Sequence, residues 1–276
     1  MIAAQVLADA VHRLKSAGIE GAARDARILL AHTLGVEATR LTLVLHDKIT
    51  AAQQSIFENL IARRSGREPI SQIIGIRAFY GRMFQVTSDV LDPRPDTETL
   101  IDLALQAPFS RILDLGTGSG CILLTLLAEN EKATGLGVDF SLSALGVAKR
   151  NAANLSVDQR AAFAQSDWFL QVVGRFDLIV ANPPYIDESE WQDLQPEVRD
   201  WEPKMALTPG PDGLSPYRLI AENAAEYLTP QGRLLVEIGW QQGAAVAEIL
   251  TSAGWRDVCV HQDLNQKDRT VSALRH

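Results

Sequence analysis

Cysteine is scarce in this chain, with only Cys121 and Cys259 among 276 residues. Two thiols so far apart make neither a disulfide framework nor a metal-ligand spacing, so no metal is expected and a reducing compartment fits best. Long apolar runs are also missing: none approaches the roughly 20 residues that a membrane-spanning helix needs. The first apolar stretch is interrupted by His12, Arg13 and Lys15, unlike the basic-then-apolar order of a signal peptide. These absences predict a cytoplasmic protein without membrane contact. Basic charge is in deficit as well, with 26 Lys and Arg against 34 Asp and Glu, a net charge of −8. The deficit is uneven: residues 1–75 hold nine basic and seven acidic residues, leaving 17 basic and 27 acidic in the remainder. So acidic a body argues against sequence-independent binding to nucleic acid, which requires phosphate neutralisation.

What remains is ordinary globular material, 46% apolar and 22% charged. A chain of this length suits one large or two modest domains. Ile2, Val6, Leu7, Ala10, Val11 and Leu14 recur at helical spacing up to Gly18. Ala26, Leu29 and Leu30 repeat the pattern up to Gly35, and Thr50 followed by Gln53 has the form of a capping box opening a third helix. These faces fit a small helical bundle without catalytic residues. Ala78–Tyr80 and Met83–Thr87, on either side of Gly81-Arg82, read as a short hairpin, and the proline-rich residues 92–98 read as an ordered, non-regular loop. From residue 110 strands and helices alternate, which predicts a parallel, doubly wound α/β sheet. The last two strands, near 256–261 and 270–275, have no helix between them, so an antiparallel edge strand is expected.

Asp114-Leu115-Gly116-Thr117-Gly118-Ser119-Gly120 lies between a predicted strand and a predicted helix. Its glycines stand at alternate positions, which does not match the G-x-G-x-x-G dinucleotide spacing. The loop resembles instead the S-adenosylmethionine-binding loop of class I methyltransferases. Asp139 ends the next strand, 19 residues after Gly120, where a carboxylate accepts hydrogen bonds from a ribose diol or caps the following helix. Asp167 and Trp168 follow the third strand, placed to flank an adenine or to form a turn.

Asn182-Pro183-Pro184-Tyr185, after the apolar strand Phe176–Ala181, is the most specific signal. A polar Asn at the end of a buried strand is costly unless paired. Consecutive prolines fix the backbone and have no N–H, leaving carbonyl oxygens free to accept, and Tyr185 adds a flat aromatic face. These groups suit a planar NH₂ on an sp² carbon. Two acceptors gripping its hydrogens draw charge onto a poorly nucleophilic nitrogen and orient it for displacement at a methyl carbon. Orientation of that kind supplies up to about 7–11 kcal/mol, and aligned dipoles add to it. No His or paired carboxylates are needed as a strong base.

With these motifs the sequence resembles the HemK/PrmC family of methyltransferases over nearly its whole length. The further marks are Gly75-Ile76-Arg77-Ala78-Phe79-Tyr80-Gly81, Pro93-Arg94-Pro95-Asp96-Thr97-Glu98, Ser166-Asp167-Trp168 and Glu237-Ile238-Gly239-Trp240-Gln241-Gln242-Gly243. Asp92 stands where the commonest family pattern has an apolar residue. The resemblance implies a class I, Rossmann-like methyltransferase domain at 89–276, a hairpin linker at 74–88 and a helical substrate-docking domain at 1–73. It implies methyl transfer from S-adenosylmethionine, giving S-adenosylhomocysteine, to the glutamine of the Gly-Gly-Gln loop of bacterial peptide-chain release factors. Asp114, Gly116, Thr117, Gly118, Ser119, Gly120, Asp139, Asp167, Trp168 and Asn182 are then expected at the cofactor. Asn182, Pro183, Pro184 and Tyr185 are expected at the glutamine amide, with Asn182, Pro183 and Tyr185 as the catalytic set. Arg94 and Glu98 are expected as nearby walls or as a mutual ion pair. A monomer acting on a protein, without nucleic acid, is expected. Two other readings fit part of the pattern. A DNA or RNA adenine amino-methyltransferase would need a basic channel and a recognition domain. A non-catalytic binding module would not need Asp114, Asp139 and Asn182.

Overall fold

The computed structural model describes residues 1–275 and divides them into two compact units. The first comprises Met1–Gly75 together with Gln195–Trp201. Helices α1 (Ala3–Ser16), α2 (Ala22–Leu34) and α3 (Ala51–Ser65) bury Val6, Leu14, Leu29, Leu30, Phe57 and Ile61 in one apolar cluster. A short α4 (Ile70–Ile74) adds Ile73. The Thr50 box forms as expected: Gln53 N donates to Thr50 Oγ1 at 3.2 Å, and Thr50 N donates to Gln53 Oε1 at 2.9 Å. Within this unit Arg64 donates to Asp25 at 2.9 Å, to the Glu68 carbonyl at 3.2 Å and to Glu197 at 3.0 Å. Residues 195–201 therefore group with the helices, whereas the sequence reading kept 89–276 as one domain. Glu197, which pairs with Arg64 and Arg67, gave no periodic signal for this.

The second unit comprises Ile76–Leu194 and Glu202–His276. It opens with a hairpin, β1 (Ile76–Phe79) and β2 (Arg82–Gln85). Its turn is Tyr80-Gly81, both at positive φ (47° and 71°), one residue earlier than expected. Two successive left-handed residues match the twist of the flanking strands. Residues 92–98 are also more regular than expected: Pro95–Thr97 make a 3-10 turn that runs straight into α5 (Glu98–Leu105).

The main elements then follow as β3 (Arg111–Leu115), α6 (Cys121–Glu129), β4 (Thr134–Asp139), α7 (Leu142–Asn154), β5 (Ala161–Gln165), β6 (Phe176–Ala181), α9 (Ser215–Tyr227), β7 (Leu228–Glu237), α10 (Gly243–Ser252), β8 (Arg256–Gln262) and β9 (Asp268–Leu274), with the one-turn α8 (Pro196–Arg199), between β6 and α9 in the chain, belonging to the first unit. The sheet order is β5-β4-β3-β6-β7-β9-β8. Strands β3 to β7 are parallel, and β9 pairs antiparallel with both β7 and β8. The expected doubly wound sheet with an antiparallel ladder at one edge is present. Apolar clusters cover both faces, one around Ile179, Tyr217 and Val236, the other around Leu100, Leu123 and Val180. The strand order reverses between β3 and β6, and ligands of open α/β sheets bind at such a switch point, outside the carboxyl ends. Among the described residues no helix is long and apolar enough to cross a membrane.

Candidate functional site

Strand register brings the motifs together. Leu115 pairs with both Val138 and Ala181, and Ala181 pairs with Val236. The next residues, Gly116, Asp139, Asn182 and Glu237, therefore stand side by side at the carboxyl ends of four adjacent strands. There a cavity of about 400 Å³ opens, within the roughly 300–1,000 Å³ range of small-molecule sites. Among its lining residues are Gly116, Thr117, Gly118, Ser119, Asp139, Asp167, Trp168, Asn182, Pro184 and Arg94.

Gly116 (φ 70°) and Gly118 (φ 54°) have left-handed backbones, and a β-carbon at either meets at most the loop itself, so both leave room for a close ligand. Asp139 reinforces that turn: its Oδ2 accepts from Gly118 N at 2.8 Å and its Oδ1 from Ser141 N at 2.9 Å. Asp139 is not the helix cap; Ser141 fills that role through Ala144 N at 3.2 Å. A carboxylate has about four acceptor positions, so Asp139 keeps acceptor capacity for a ligand. Burial pushes its pKa up, against these amide hydrogen bonds. Trp168 is held at φ 49°, where its carbonyl accepts from the buried Ser166 hydroxyl at 2.8 Å. Exposed Phe140 and Met205 add apolar rim.

Asp114, Gly120 and Glu98 do not line the cavity as expected, and Arg94, which does, pairs with a different acid from the one expected. Asp114 is fully buried beneath the loop, where its Oδ2 accepts from the Thr117 hydroxyl at 2.6 Å. It shapes the loop instead of lining the cavity; its Oδ1 is buried without a partner, and desolvation pushes the carboxyl up to about 7. Gly120 is a packing glycine: a β-carbon there would meet Leu124 at 2.9 Å and Ala148 at 3.3 Å. Arg94 does not pair with Glu98. It grips Glu202 with 2.6 and 2.7 Å contacts, while Glu98 turns to the hairpin and accepts from Tyr80 N at 2.8 Å. Glu98 is thus a support of the hairpin and no cavity wall. Glu202, mostly desolvated, is pushed up to about 7 despite Arg94.

In the Asn182–Tyr185 segment, Asn182 and Pro184 line the cavity, while Pro183 is buried and Tyr185 packs against the core. Burial raises the Tyr185 phenol well above its ordinary value. The Tyr185 carbonyl accepts from Gln242 Nε2 at 2.9 Å, and Gln242 Oε1 accepts from Gly239 N at 3.0 Å, tying this loop to the one after β7. Asn182 Nδ2 donates to Thr97 Oγ1 at 3.4 Å. Among the described residues, neither Asn182 Oδ1 nor the Pro183 carbonyl has a protein hydrogen-bond partner. Two residues that motif reading passed over are central here. Thr97 is buried at the wall, and Glu237 is buried at the carboxyl end of β7, on the strand beside Asn182. Both lay inside quoted motifs, but only the fold brings Thr97 to Asn182 and sets Glu237 on the neighbouring strand end.

Comparison with known proteins places this geometry. Residues 5–75 match the PrmC N-terminal domain and residues 89–196 the methyltransferase small domain. The chain is 53% identical over 273 residues to the release factor glutamine methyltransferase of Cereibacter sphaeroides, covering 99% of this chain and 98% of that protein. It is 45% identical to the protein of the same name from Rhodospirillum rubrum, covering 95% of this chain and 82% of the other. Among solved structures, a methyltransferase from Pyrococcus furiosus aligns with a TM-score of 0.55 at 15% identity, covering 79% of this chain and 98% of that one, a likeness of fold.

Proposed function

Because the chain belongs to the release factor glutamine methyltransferase family, we propose that it methylates the side-chain amide nitrogen of the glutamine in the Gly-Gly-Gln loop of peptide-chain release factors. S-adenosylmethionine, when bound, supplies an electrophilic methyl group on sulfur and becomes S-adenosylhomocysteine. The residues at the switch point fit it. Gly116–Ser119 form an open cradle, Asp139 keeps acceptor capacity for a diol, and Trp168 and Phe140 offer apolar faces.

The reading rests on one juxtaposition: Asn182 lines the cavity on the strand end adjacent to the glycine cradle and is followed by Pro183, and among the described residues neither Asn182 Oδ1 nor the Pro183 carbonyl has a protein hydrogen-bond partner. An amide NH₂ has two hydrogens for two such acceptors. Accepting both fixes the amide plane and shifts charge onto nitrogen, which an amide otherwise delocalises into its carbonyl. The acceptors are preorganised, one on a rigid proline backbone, so little reorganisation is needed at the moment of reaction. Burial keeps Tyr185 neutral, so it serves as a face and not as a base. The amide proton is lost only as the new N–C bond forms, so a weak acceptor suffices. A protein substrate agrees with the acidic remainder of the chain, 17 basic against 27 acidic residues, and a cytoplasmic site of action follows from that substrate.

The test is mass spectrometry of a purified release factor incubated with the protein and isotope-labelled S-adenosylmethionine. Label on the loop glutamine is expected. Label absent from that residue, or found on a nucleic acid instead, overturns the assignment.

A further inference from the structure

We propose that Gln242 is a positioning residue for methyl transfer: it holds the Asn182–Tyr185 segment by its backbone, so that the two acceptors of that segment keep their places. This rests on the reading of Asn182 and Pro183 given above and specifies what fixes them.

The segment leaves β6 with little to anchor it. Pro183 and Pro184 have no N–H, so two of its four residues cannot donate a backbone hydrogen bond. Just beyond it, Ile186 N donates to the Leu207 carbonyl at 2.9 Å. Within it, the Tyr185 carbonyl accepts from Gln242 Nε2 at 2.9 Å. Gln242 has two further backbone contacts: Nε2 lies 3.5 Å from the Gly213 carbonyl, and Oε1 accepts from Gly239 N at 3.0 Å. One half-buried side chain thus joins three loops, the one after β6, the one that enters α9 and the one after β7.

An amide side chain is nearly symmetric in shape, and only its hydrogen-bond partners distinguish its two orientations. Here all three partners are backbone groups, which do not titrate. Carbonyls only accept and an N–H only donates, so Nε2 must face Tyr185 and Gly213, and Oε1 must face Gly239. The space around this junction is closed. A β-carbon at Gly213, whose φ is 62°, would collide with the Tyr185 carbonyl oxygen and come within 2.9 Å of Gln242 Nε2. A β-carbon at Gly239 would lie 3.0 Å from Gln242 Oε1 and 3.4 Å from the Tyr185 ring. On α9, the buried Tyr217 hydroxyl donates to the Glu237 carbonyl at 2.9 Å and ties the helix to the end of β7. Proline rings fix φ at 183 and 184, so few free torsions separate the anchored Tyr185 carbonyl from the Pro183 carbonyl and Asn182. Gln242 touches no substrate in this scheme; it acts through the Tyr185 backbone.

The test uses the full-length protein with a release factor. It measures kcat at saturating cofactor and release factor, cofactor affinity and melting temperature for Q242M, Q242E and N182A. Q242M keeps the length and removes every hydrogen bond. Q242E keeps the shape and an acceptor for Gly239 N, but at about pH 8 its ionised carboxyl has no donor for the Tyr185 carbonyl. In both, kcat is expected to fall about 10- to 100-fold, the range that misplacing a reacting group produces. Cofactor affinity and melting temperature are expected to change far less, because the glycine cradle after β3 is not among the tied loops. A residue that only fills space would be replaced without loss of kcat. Wild-type kcat in either variant, with N182A inactive, overturns the role of Gln242, and Q242E alone decides if Q242M does not fold. Equal losses of kcat and cofactor affinity, or failure of both variants to fold, also overturn it. Wild-type kcat in N182A itself instead overturns the reading of the site on which the proposal rests.

Discussion

The helical unit and the sheet unit treat buried charge in opposite ways. In the helical unit Asp25 is 1% exposed, yet it is matched by Arg64, whose Nε, Nη1 and Nη2 all donate, to Asp25, to the Glu68 carbonyl and to Glu197. Among the described residues of the sheet unit, Asp114 Oδ1, Glu237 Oε2 and Arg269 Nε are buried without a protein hydrogen-bond partner. Each such group costs about 1–3 kcal/mol when left unsatisfied. The helical unit follows the rule of a fold selected for stability. The sheet unit departs from it around the cavity, which is where departures mark function.

The contrast is breakable in four places. Replacing Arg64 with Ala removes the buried partner of Asp25, leaving it only the exposed Arg24 at 3.3 Å, and leaves Glu197 to Arg67 alone; unfolding stability should fall by about 3 kcal/mol in denaturant titration. The folded fraction should keep its affinity for cofactor. Replacing Asn182 with Ala should do the reverse: kcat falls about 10²–10³-fold, or about 2.7–4 kcal/mol in activation free energy, with little change in melting. Loss of cofactor affinity in that variant should be the smaller effect.

The third test is pH. Glu237 is raised from its ordinary value of 4.5 to about 7, first by desolvation; Asp96 pushes it further up, while Thr97, Arg269 and Arg94 oppose the rise. A carboxyl whose pKa is higher in the folded state favours the fold while it is protonated. That contribution is complete below about 4.5 and is lost as pH climbs through about 7. Glutamine does not titrate, so the stability of E237Q relative to wild type should rise between pH 4.5 and 8. The gain is on the order of 3 kcal/mol. Parallel stability curves for the two proteins would mean that Glu237 is not desolvated. The smallest effect belongs to Thr50→Ala, which removes the cap of α3 and should cost about 1 kcal/mol with kcat unchanged.

Much of this was legible in the sequence because it depends on local chemistry. The strand–helix alternation, the Thr50 box, the glycine loop and the Asn182–Tyr185 string are each written in a few consecutive residues. What was not legible depends on register or on distant partners. Nothing near Arg94 in sequence favours Glu202 over Glu98, yet Glu202 is the residue the fold delivers. Asp114 reads as a ligand-facing acid until the pleat turns it under the loop. Gly120 reads as part of the cradle until α6 packs against α7 through Leu124 and Ala148. Thr97 is 85 residues from Asn182 in sequence and reaches it only in the fold, as Glu237 reaches the neighbouring strand end only because β7 lies beside β6.

The central claim is that two oxygen acceptors recognise a carboxamide NH₂. The most direct measurement is turnover and calorimetric binding of two release factors that differ only at the Gly-Gly-Gln loop, one with glutamine and one with glutamate there. Glutamate has no NH₂ and carries a negative charge toward the same oxygens. Sites built around hydrogen bonds reject analogues that lack the donor by about 10⁴–10⁵ in kcat/KM. The account predicts no detectable methylation of the glutamate form and weaker binding of its loop. Equal handling of the two forms would contradict it.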